Sequence, residues 1–154
     1  MIKLIIFDLD GVLIDSREFH YIALNKALAE IDNKYIISES EHLSKYDGFP
    51  TKRKLEMLTK EKNLPISTYD NIFKNKQKYT QELLLNNITE DDKLILIFKK
   101  LKENGYKIWV ASNAIRETIK LILLKKGIME YIESFLSNED IVHTKPNPSI
   151  YQKI

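Results

Sequence analysis

Three absences narrow what this sequence can be. Cysteine does not occur among its 154 residues, which excludes disulfide bonds, thiolate catalysis and cysteine-based metal sites. An excess of one charge is also missing: 24 basic and 22 acidic residues leave a net charge of +2, too small for the electrostatic footprint of a protein that binds nucleic acid or membrane. Long hydrophobic runs are lacking too, because Asp8 and Asp10 interrupt the apolar residues 1–14. We therefore expect no signal peptide, no membrane span and a cytoplasmic location.

The most informative segment that is present is the end of the first apolar run. Residues 2–7 are apolar except for one lysine, which predicts a short buried strand, and Asp8 and Asp10 follow where that strand ends. Side chains two positions apart on an extended chain share a face, so both carboxylates are expected to point at one place. Two negative charges held together are unfavourable unless a cation, a proton or a substrate offsets them. The alternative is a strand that ends in solvated acids, but the pair followed by Gly11 indicates a site.

The periodicity of the remaining chain predicts an α/β protein with a helical insertion. Residues 16–87 have the pattern of an all-helical block, and two further strands, at residues 106–111 and 134–136, alternate with helices. Such alternation indicates a Rossmann-like parallel sheet, whose ligands bind at the carboxyl ends of its strands. The predicted domains are a discontinuous α/β core at residues 1–15 and 88–154 and a helical domain at residues 16–87.

Helix boundaries are predicted from capping residues. Ser38 begins the sequence of a capping box, and Thr89 is expected to cap the helix that leads to the second strand. Asn104 and Gly105 should end that helix. Asn147 is expected to cap a final helix that begins with a proline.

Ser112 and Lys145 are the remaining candidates for chemistry. Ser112 directly follows the second predicted strand and can donate its hydroxyl and a backbone N–H to a phosphate oxygen, as can the start of the next helix. An N-cap role explains Ser112 equally well. Lys145 lies in a proline-containing segment and can supply a positive charge, although a single lysine more often faces solvent. Two carboxylates suit phosphoryl transfer, one as nucleophile and one as proton donor and acceptor, with a divalent cation bridging the phosphoryl group.

Taken together, these segments resemble the haloacid dehalogenase superfamily. Order and spacing match its first three motifs, carried by Asp8-x-Asp10-Gly11-Val12, by Ser112-Asn113 and by Lys145-Pro-x-Pro. Residues 10–16, followed by Phe19 and His20, are similar to the beta-phosphoglucomutase and phosphoglycolate-phosphatase branch. In that branch a helical cap is inserted after the first motif, which implies that residues 16–87 form the cap.

The resemblance implies a Mg²⁺-dependent phosphatase for a small phosphorylated metabolite, such as a sugar phosphate or a phosphoglycolate-like acid. Asp8 is then the nucleophile that forms an aspartyl phosphate, and Asp10 is the general acid and base. Ser112 and Lys145 hold the phosphoryl group. The Asp8 carboxylate and the Asp10 backbone carbonyl bind Mg²⁺. A true dehalogenase is not expected to keep an acid at Asp10, because a halide leaving group needs no proton.

The substrate-binding candidates are Asn113 in the second motif and His20, Thr51 and Lys52 in the predicted cap. A solvated helix face is the alternative for Lys52, and a helix-surface histidine is the alternative for His20. Cap residues also decide between hydrolysis and beta-phosphoglucomutase-like phosphotransfer, so that second reaction stays open.

The superfamily's fourth motif, an acid pair that completes the Mg²⁺ shell, has no counterpart between Lys145 and Ile154. We therefore expect weak Mg²⁺ affinity and low activity, with an inactive remnant as the alternative. An exposed apolar edge on the first strand is also expected, and it would allow self-association. Glu139 and Asp140 are the nearest acids and are expected to be loop residues, not replacement ligands. A truncated product, a fragment of a longer parent and a chain completed by a partner all remain open.

Overall fold

The computed structural model describes residues 3–154, which form a three-stranded parallel sheet and seven α-helices. The strands are β1 (Leu4–Phe7), β2 (Lys107–Ala111) and β3 (Ser134–Leu136), in the order β1-β2-β3. The helices are α1 (Arg17–Ala29), α2 (Glu39–Glu41), α3 (Thr51–Lys62), α4 (Tyr69–Asn87), α5 (Asp92–Glu103), α6 (Arg116–Lys125) and α7 (Ser149–Gln152). The predicted α/β class with a parallel sheet is confirmed.

The chain divides into two compact units. The sheet unit comprises the chain up to Ser16 together with Leu84–Ile154, and the helical unit is Arg17–Leu83. All three strands belong to the sheet unit, whereas α1, α2 and α3 lie wholly in the helical unit.

The sheet forms because short apolar runs pair in parallel register. Leu4 lies opposite Lys107 on β2, and Val110 on β2 lies opposite Phe135 on β3. The central strand is the most buried, as expected for a parallel sheet flanked by helices: Ile108 and Val110 have no exposed surface.

The strands lie close to their predicted positions. β2 begins one residue later than expected, and β3 has the predicted bounds. The predicted start of the first strand at Ile2 lies outside the described residues. Within the part of the chain that the structure describes, β1 pairs with β2 alone and therefore forms one edge of the sheet. Self-association through that edge stays a prediction.

Helix α5 joins the sheet through aromatic packing. Phe98 is fully buried and its ring stacks on Phe7 of β1 with 4.9 Å between centroids. Near the end of α6, Gly127 adopts φ +71°, and a Cβ at that position would lie 2.8 Å from Cδ1 of Ile95. Glycine suits this position because other residues rarely adopt this backbone conformation, and a Cβ would require the end of the Ile95 side chain to shift.

Two capping predictions are confirmed and two are wrong. The Ser38 side chain caps α2 in a complete capping box with Glu41, and Asn104 is the C-cap of α5. Thr89 is not the cap of α5: the cap is Asp91, whose carboxylate accepts the Leu94 N–H at 3.1 Å and also faces Lys126. A carboxylate adds an ionic interaction at a helix start that a threonine hydroxyl lacks.

The last helix was also predicted one residue too early. Its first residue is Ser149 and its N-cap position is Pro148. Asn147 still binds the helix start, because its Oδ1 accepts the Ser149 N–H at 3.0 Å.

The helical unit has its own apolar core. Ala23, Leu24, Ala27 and Leu28 of α1 are buried, and the last three pack with residues from the other helices and their connections. That core comprises Leu24, Ala27, Leu28, Tyr35, Ile37, Tyr46, Leu55, Leu58, Leu64 and Ile72. No helix among residues 3–154 combines the length and the apolar character that a membrane crossing requires.

Candidate active site

A tight loop follows β1 and presents the two acids of the first motif. Leu9, between them, is fully buried, whereas Asp8 is half-buried and Asp10 is exposed, so the acids alternate with a core residue. The Leu9 carbonyl accepts the N–H groups of Leu13 and Ile14 at 2.9 and 3.1 Å. The chain can turn this sharply because Gly11 adopts φ +79°.

Asp8 contacts Lys145 across 137 residues of sequence. The lysine Nζ lies 2.6 Å from Oδ1 of Asp8 and also donates to the Ala111 carbonyl at 2.9 Å. The Leu9 N–H donates to the same Oδ1 at 2.7 Å. No described residue donates to the second carboxylate oxygen, Oδ2. The arrangement therefore fixes one oxygen of Asp8 and leaves the other to meet a ligand.

Asp10 is held by Ser16, a residue that sequence analysis assigned no role. The Ser16 hydroxyl donates to Oδ1 of Asp10, and the Ser16 side chain is buried. A serine six positions after the acid, where the apolar run has ended and the helical pattern begins, is the signal that could have identified it. This hydrogen bond orients the carboxyl group that is the candidate for proton transfer.

Ser112 is fully buried at the end of β2. Its N–H donates to the Leu136 carbonyl at 3.0 Å, and its Oγ accepts the Ala114 N–H at 3.0 Å. The expectation that its own backbone N–H can bind phosphate is therefore wrong, because that group belongs to the contact with β3. Ser112 is not the N-cap of α6 either, since that position is Ile115. The hydroxyl is the group that Ser112 can offer to a phosphoryl oxygen.

Glu139 and Asp140 stabilise the loop after β3. Glu139 Oε2 accepts the Arg116 N–H at 2.7 Å, so a carboxylate already occupies the start of α6 that was expected to face phosphate. Asp140 accepts the Ser137 N–H at 2.8 Å and pairs with the Arg116 guanidinium.

The backbone hydrogen bond from Ser137 is the main cause that lowers the pKa of Asp140 to about 2, with smaller contributions from the Ser137 hydroxyl and Arg116. These contacts give both acids structural roles in the loop. Among residues 3–154, no group of three or more histidine and acidic side chains could hold a metal ion.

Asn113 contacts the backbone of Lys145. Its Oδ1 accepts the Lys145 N–H at 2.9 Å, and its Nδ2 donates to the Lys145 carbonyl at 3.1 Å. The structure therefore brings together Asp8, Lys145 and Asn113 by direct contacts. Ser112 and Asp10 adjoin them in sequence at the same strand ends.

The other three predicted site residues lie in the helical unit. His20 is on α1, Thr51 is the first residue of α3, and Lys52 is exposed beside it. Their contacts with a substrate stay predictions.

The donor set suits a hard divalent cation. Asp8 and Asp10 offer oxygen ligands, and Mg²⁺ commonly binds through one or two carboxylates while water and substrate phosphate complete its shell. Both residues lie on the tight loop after β1, where Asp8 is half-buried and Asp10 is exposed, so a cation can reach this loop. Lys145 already places one positive charge beside Asp8.

Comparison with known proteins places these residues in a family. A family model described as haloacid dehalogenase-like hydrolase matches residues 5–154. Phosphoglycolate phosphatase of Aquifex aeolicus is 28% identical, over 96% of this chain and 66% of its own length. This chain spans 56% to 66% of the length of the first curated relatives that it matches.

Solved structures share the fold. A HAD hydrolase, family IA, variant 3 from Entamoeba histolytica superposes with a TM-score of 0.81 at 20% identity, over 99% of this chain and 68% of that one. Beta-phosphoglucomutase from Clostridium difficile gives a TM-score of 0.67 at 27% identity, over 99% of this chain and 69% of that one. This chain belongs to the haloacid dehalogenase-like hydrolase family.

Proposed function

We propose that this protein hydrolyses small phosphomonoesters by way of a phosphoryl group carried on Asp8. The observation that carries the proposal is the 2.6 Å contact between Lys145 Nζ and Asp8 Oδ1, made across 137 residues at the carboxyl ends of two parallel strands. A carboxylate beside an ammonium, with its second oxygen receiving no hydrogen bond from the described residues, is equipped to attack phosphorus. The similarity to phosphoglycolate phosphatase of Aquifex aeolicus is consistent with this reaction.

In the first step, Oδ2 of Asp8 attacks the phosphorus atom and the bond from phosphorus to the leaving oxygen breaks. Asp10, in its protonated form, gives its proton to that oxygen, so the alcohol leaves neutral. In the second step, water attacks the phosphorus and Asp10 takes a proton from it. The bond between phosphorus and Asp8 then breaks, which releases inorganic phosphate and restores both side chains.

The remaining residues stabilise charge and orient groups. The Lys145 ammonium offsets negative charge on Asp8 and on the phosphoryl oxygens, where a preformed positive group has its greatest effect on rate. The Ser112 hydroxyl donates to a phosphoryl oxygen. Ser16 keeps the Asp10 carboxyl oriented through the hydrogen bond that the two side chains make.

A divalent cation completes the charge balance. The Asp8 carboxylate and the Asp10 main-chain carbonyl are the residues that would hold Mg²⁺. Bound there, the ion would supply positive charge that offsets the negative charge of Asp8 and of the phosphoryl group.

We also propose that residues 16–87 form a cap and that His20, Thr51 and Lys52 contact the non-reacting part of the substrate. Caps of this kind exclude water from the reacting groups and select the substrate. The substrate class that this proposal favours is a small sugar phosphate or a phosphoglycolate-like acid.

The test is turnover of a panel of phosphomonoesters with Mg²⁺ titrated from zero. Asp8→Asn should lower kcat by at least roughly 10³-fold, because an amide is a poor nucleophile. Asp70→Asn, an exposed acid on α4, is the matched control and should retain full turnover. Undiminished turnover in Asp8→Asn would refute the proposal.

Phosphotransfer is the second candidate, and the 27% identity to beta-phosphoglucomutase of Clostridium difficile favours it. A mutase returns the phosphoryl group from Asp8 to another hydroxyl of the sugar, whereas a phosphatase gives it to water. Phosphorus NMR of a hexose 1-phosphate separates the two reactions. Inorganic phosphate as the product indicates hydrolysis, and a hexose 6-phosphate indicates phosphotransfer.

A further inference from the structure

The segment that carries Lys145 has little packing to hold it. Residues 142–144 and 146–148, on either side of the lysine, are all exposed. Hydrogen bonds within the segment, such as that from the Asn147 N–H to the Thr144 carbonyl at 3.1 Å, close it on itself without attaching it to the sheet. Ile141 and Ile150 pack in the core, but they lie before and after the segment and not within it. The contacts of Lys145 itself must therefore determine where its ammonium lies.

Residues at the end of β2 bind both the backbone and the ammonium of Lys145. The Asn113 side chain hydrogen-bonds the Lys145 N–H at 2.9 Å and the Lys145 carbonyl at 3.1 Å. The carbonyl of Ala111, two residues earlier, accepts a hydrogen bond from the ammonium at 2.9 Å. A lysine side chain has four flexible carbons. Fixing its backbone reduces the number of conformations open to the residue, so a larger fraction of them place the ammonium at Asp8.

From this geometry we infer that Asn113 is a positioning residue, which acts on the reaction by holding Lys145 and not by binding the substrate. The inference rests on the proposed function. The Asn113 carbonyl oxygen and one of its amide hydrogens are both engaged by Lys145. Loss of these contacts frees an exposed segment and lowers the fraction of time that the ammonium spends at Asp8.

A double-mutant cycle on turnover tests the inference. Asn113→Ala should lower kcat by roughly 10- to 100-fold with little change in KM, the effect expected of a small displacement of a reacting group. Lys145→Ala should lower kcat further, and the double variant should be no worse than Lys145→Ala alone, because residues that act as one unit are not additive. Additive losses, or a raised KM with unchanged kcat, would overturn the inference in favour of direct substrate contact.

A second measurement needs no turnover. Lys145 is 15% exposed in its side chain and Lys107 is 65% exposed, so Lys107 serves as the internal reference for acetylation followed by mass spectrometry. In Asn113→Ala, acetylation of Lys145 relative to Lys107 should accelerate several-fold, because the ammonium leaves its contacts more often. Asn113 is exposed, so its removal opens no core cavity.

The matched control is Asn25→Ala. Asn25 makes the same pair of hydrogen bonds to the backbone of Ile37, at 2.8 and 2.9 Å, in the helical unit. This variant should leave the acetylation of Lys145 unchanged. Unchanged labelling of Lys145 in Asn113→Ala would overturn the inference even if the wild type is an active phosphatase. Accelerated labelling in a protein that turns over no phosphomonoester would instead refute the proposed function and leave the role of Asn113 standing.

Discussion

Two asparagines, one in each unit, make the same pair of hydrogen bonds to the backbone of another residue, but the residues that they hold differ in kind. Asn25 pairs its amide with the N–H and carbonyl of Ile37, and Asn113 pairs its amide with those of Lys145. Ile37 is fully buried in the core of the helical unit, whereas Lys145 directs its ammonium to Asp8. The same interaction therefore fixes a core residue in one unit and a charged residue at the strand ends in the other.

Two lysine–carboxylate pairs repeat this comparison. Lys45 lies 2.6 Å from Glu61 in the helical unit, and Lys145 lies 2.6 Å from Asp8 in the sheet unit. The side chain of Lys45 is 46% exposed, but that of Lys145 is only 15% exposed. The two pairs have the same length, so burial and place in the fold are what distinguish them.

Of the effects that distinguish the two units, the largest is the loss of kcat expected when the lysine of the sheet unit is replaced. Lys145→Ala should lower kcat for a phosphomonoester by roughly 10²- to 10³-fold, because it removes the positive charge beside the proposed nucleophile, Asp8. Lys45→Ala removes an ion pair of equal length and should leave kcat unchanged, with a stability loss of at most about 1 kcal/mol. Steady-state kinetics and urea denaturation of both variants make the comparison. Equal losses of kcat in the two variants would show that the contact between Lys145 and Asp8 contributes no more to turnover than a surface ion pair does.

The next effect concerns the core of the helical unit. Leu28 is fully buried there, and Leu28→Ala should lower the free energy of unfolding by about 2–5 kcal/mol through lost burial and the cavity that remains. Leu43 is 65% exposed, so Leu43→Ala should change stability by less than about 0.5 kcal/mol. Urea denaturation followed by circular dichroism measures both. A small loss in Leu28→Ala would mean that the helical unit does not depend on this core.

The smallest effect is a difference in pH dependence between the units. His42 is buried, its ring lies 4.8 Å from that of Tyr21, and its Nε2 lies 3.8 Å from an Asp47 oxygen. Burial, followed by the charge of Lys54, lowers the pKa of His42 below its ordinary value of 6.5, although Asp47 acts in the opposite direction. The unfolded chain then binds the proton more tightly than the folded protein. Stability is complete above pH 6.5 and is lost as the pH falls through the lowered pKa.

In the sheet unit the corresponding window is more acidic. Hydrogen bonds from Ser137 and the pairing with Arg116 lower the pKa of Asp140 from 3.8 to about 2, so its contribution is lost only as the pH falls between those values. Denaturation from about pH 7.5 to about pH 5 should show a loss of at most about 1.4 kcal/mol per pH unit from His42. His42→Gln should flatten that slope. An unchanged slope in His42→Gln would assign the effect to another group.

The residues that meet through strand order were the predictable ones. Asp8 and Ser112 directly follow β1 and β2, and parallel strands bring their carboxyl ends together, so the pattern of strands and helices predicts that both lie at one edge. Lys145 lies well after β3, and its place beside Asp8 was expected from the family resemblance and not from the strand pattern. The bounds of β3 followed from a short apolar run between turn signals. Periodicity and turn residues carry this information locally.

Side-chain competition was not predictable from sequence. Asp91 and Thr89 are both capping residue types, and Asp91 is the one that caps α5. Its carboxylate also faces Lys126, which comes from a distant part of the chain. Glu139 at the start of α6 and the hydrogen bond from Ser16 to Asp10 depend in the same way on neighbours that the fold supplies. A single sequence identifies the polar groups but not which of several partners each one meets.

The measurement that tests the central claim most directly is the location of the phosphoryl group. The protein is incubated with Mg²⁺ and a phosphomonoester that it turns over, quenched in acid, and its peptides are analysed by mass spectrometry. We predict a phosphoryl group on Asp8 in the wild type, a larger amount in Asp10→Asn given an activated ester whose leaving group needs no proton, and none in Asp8→Asn. A phosphoryl group on another residue, or continued turnover by Asp8→Asn with no modified peptide, would contradict the assignment of Asp8 as the nucleophile.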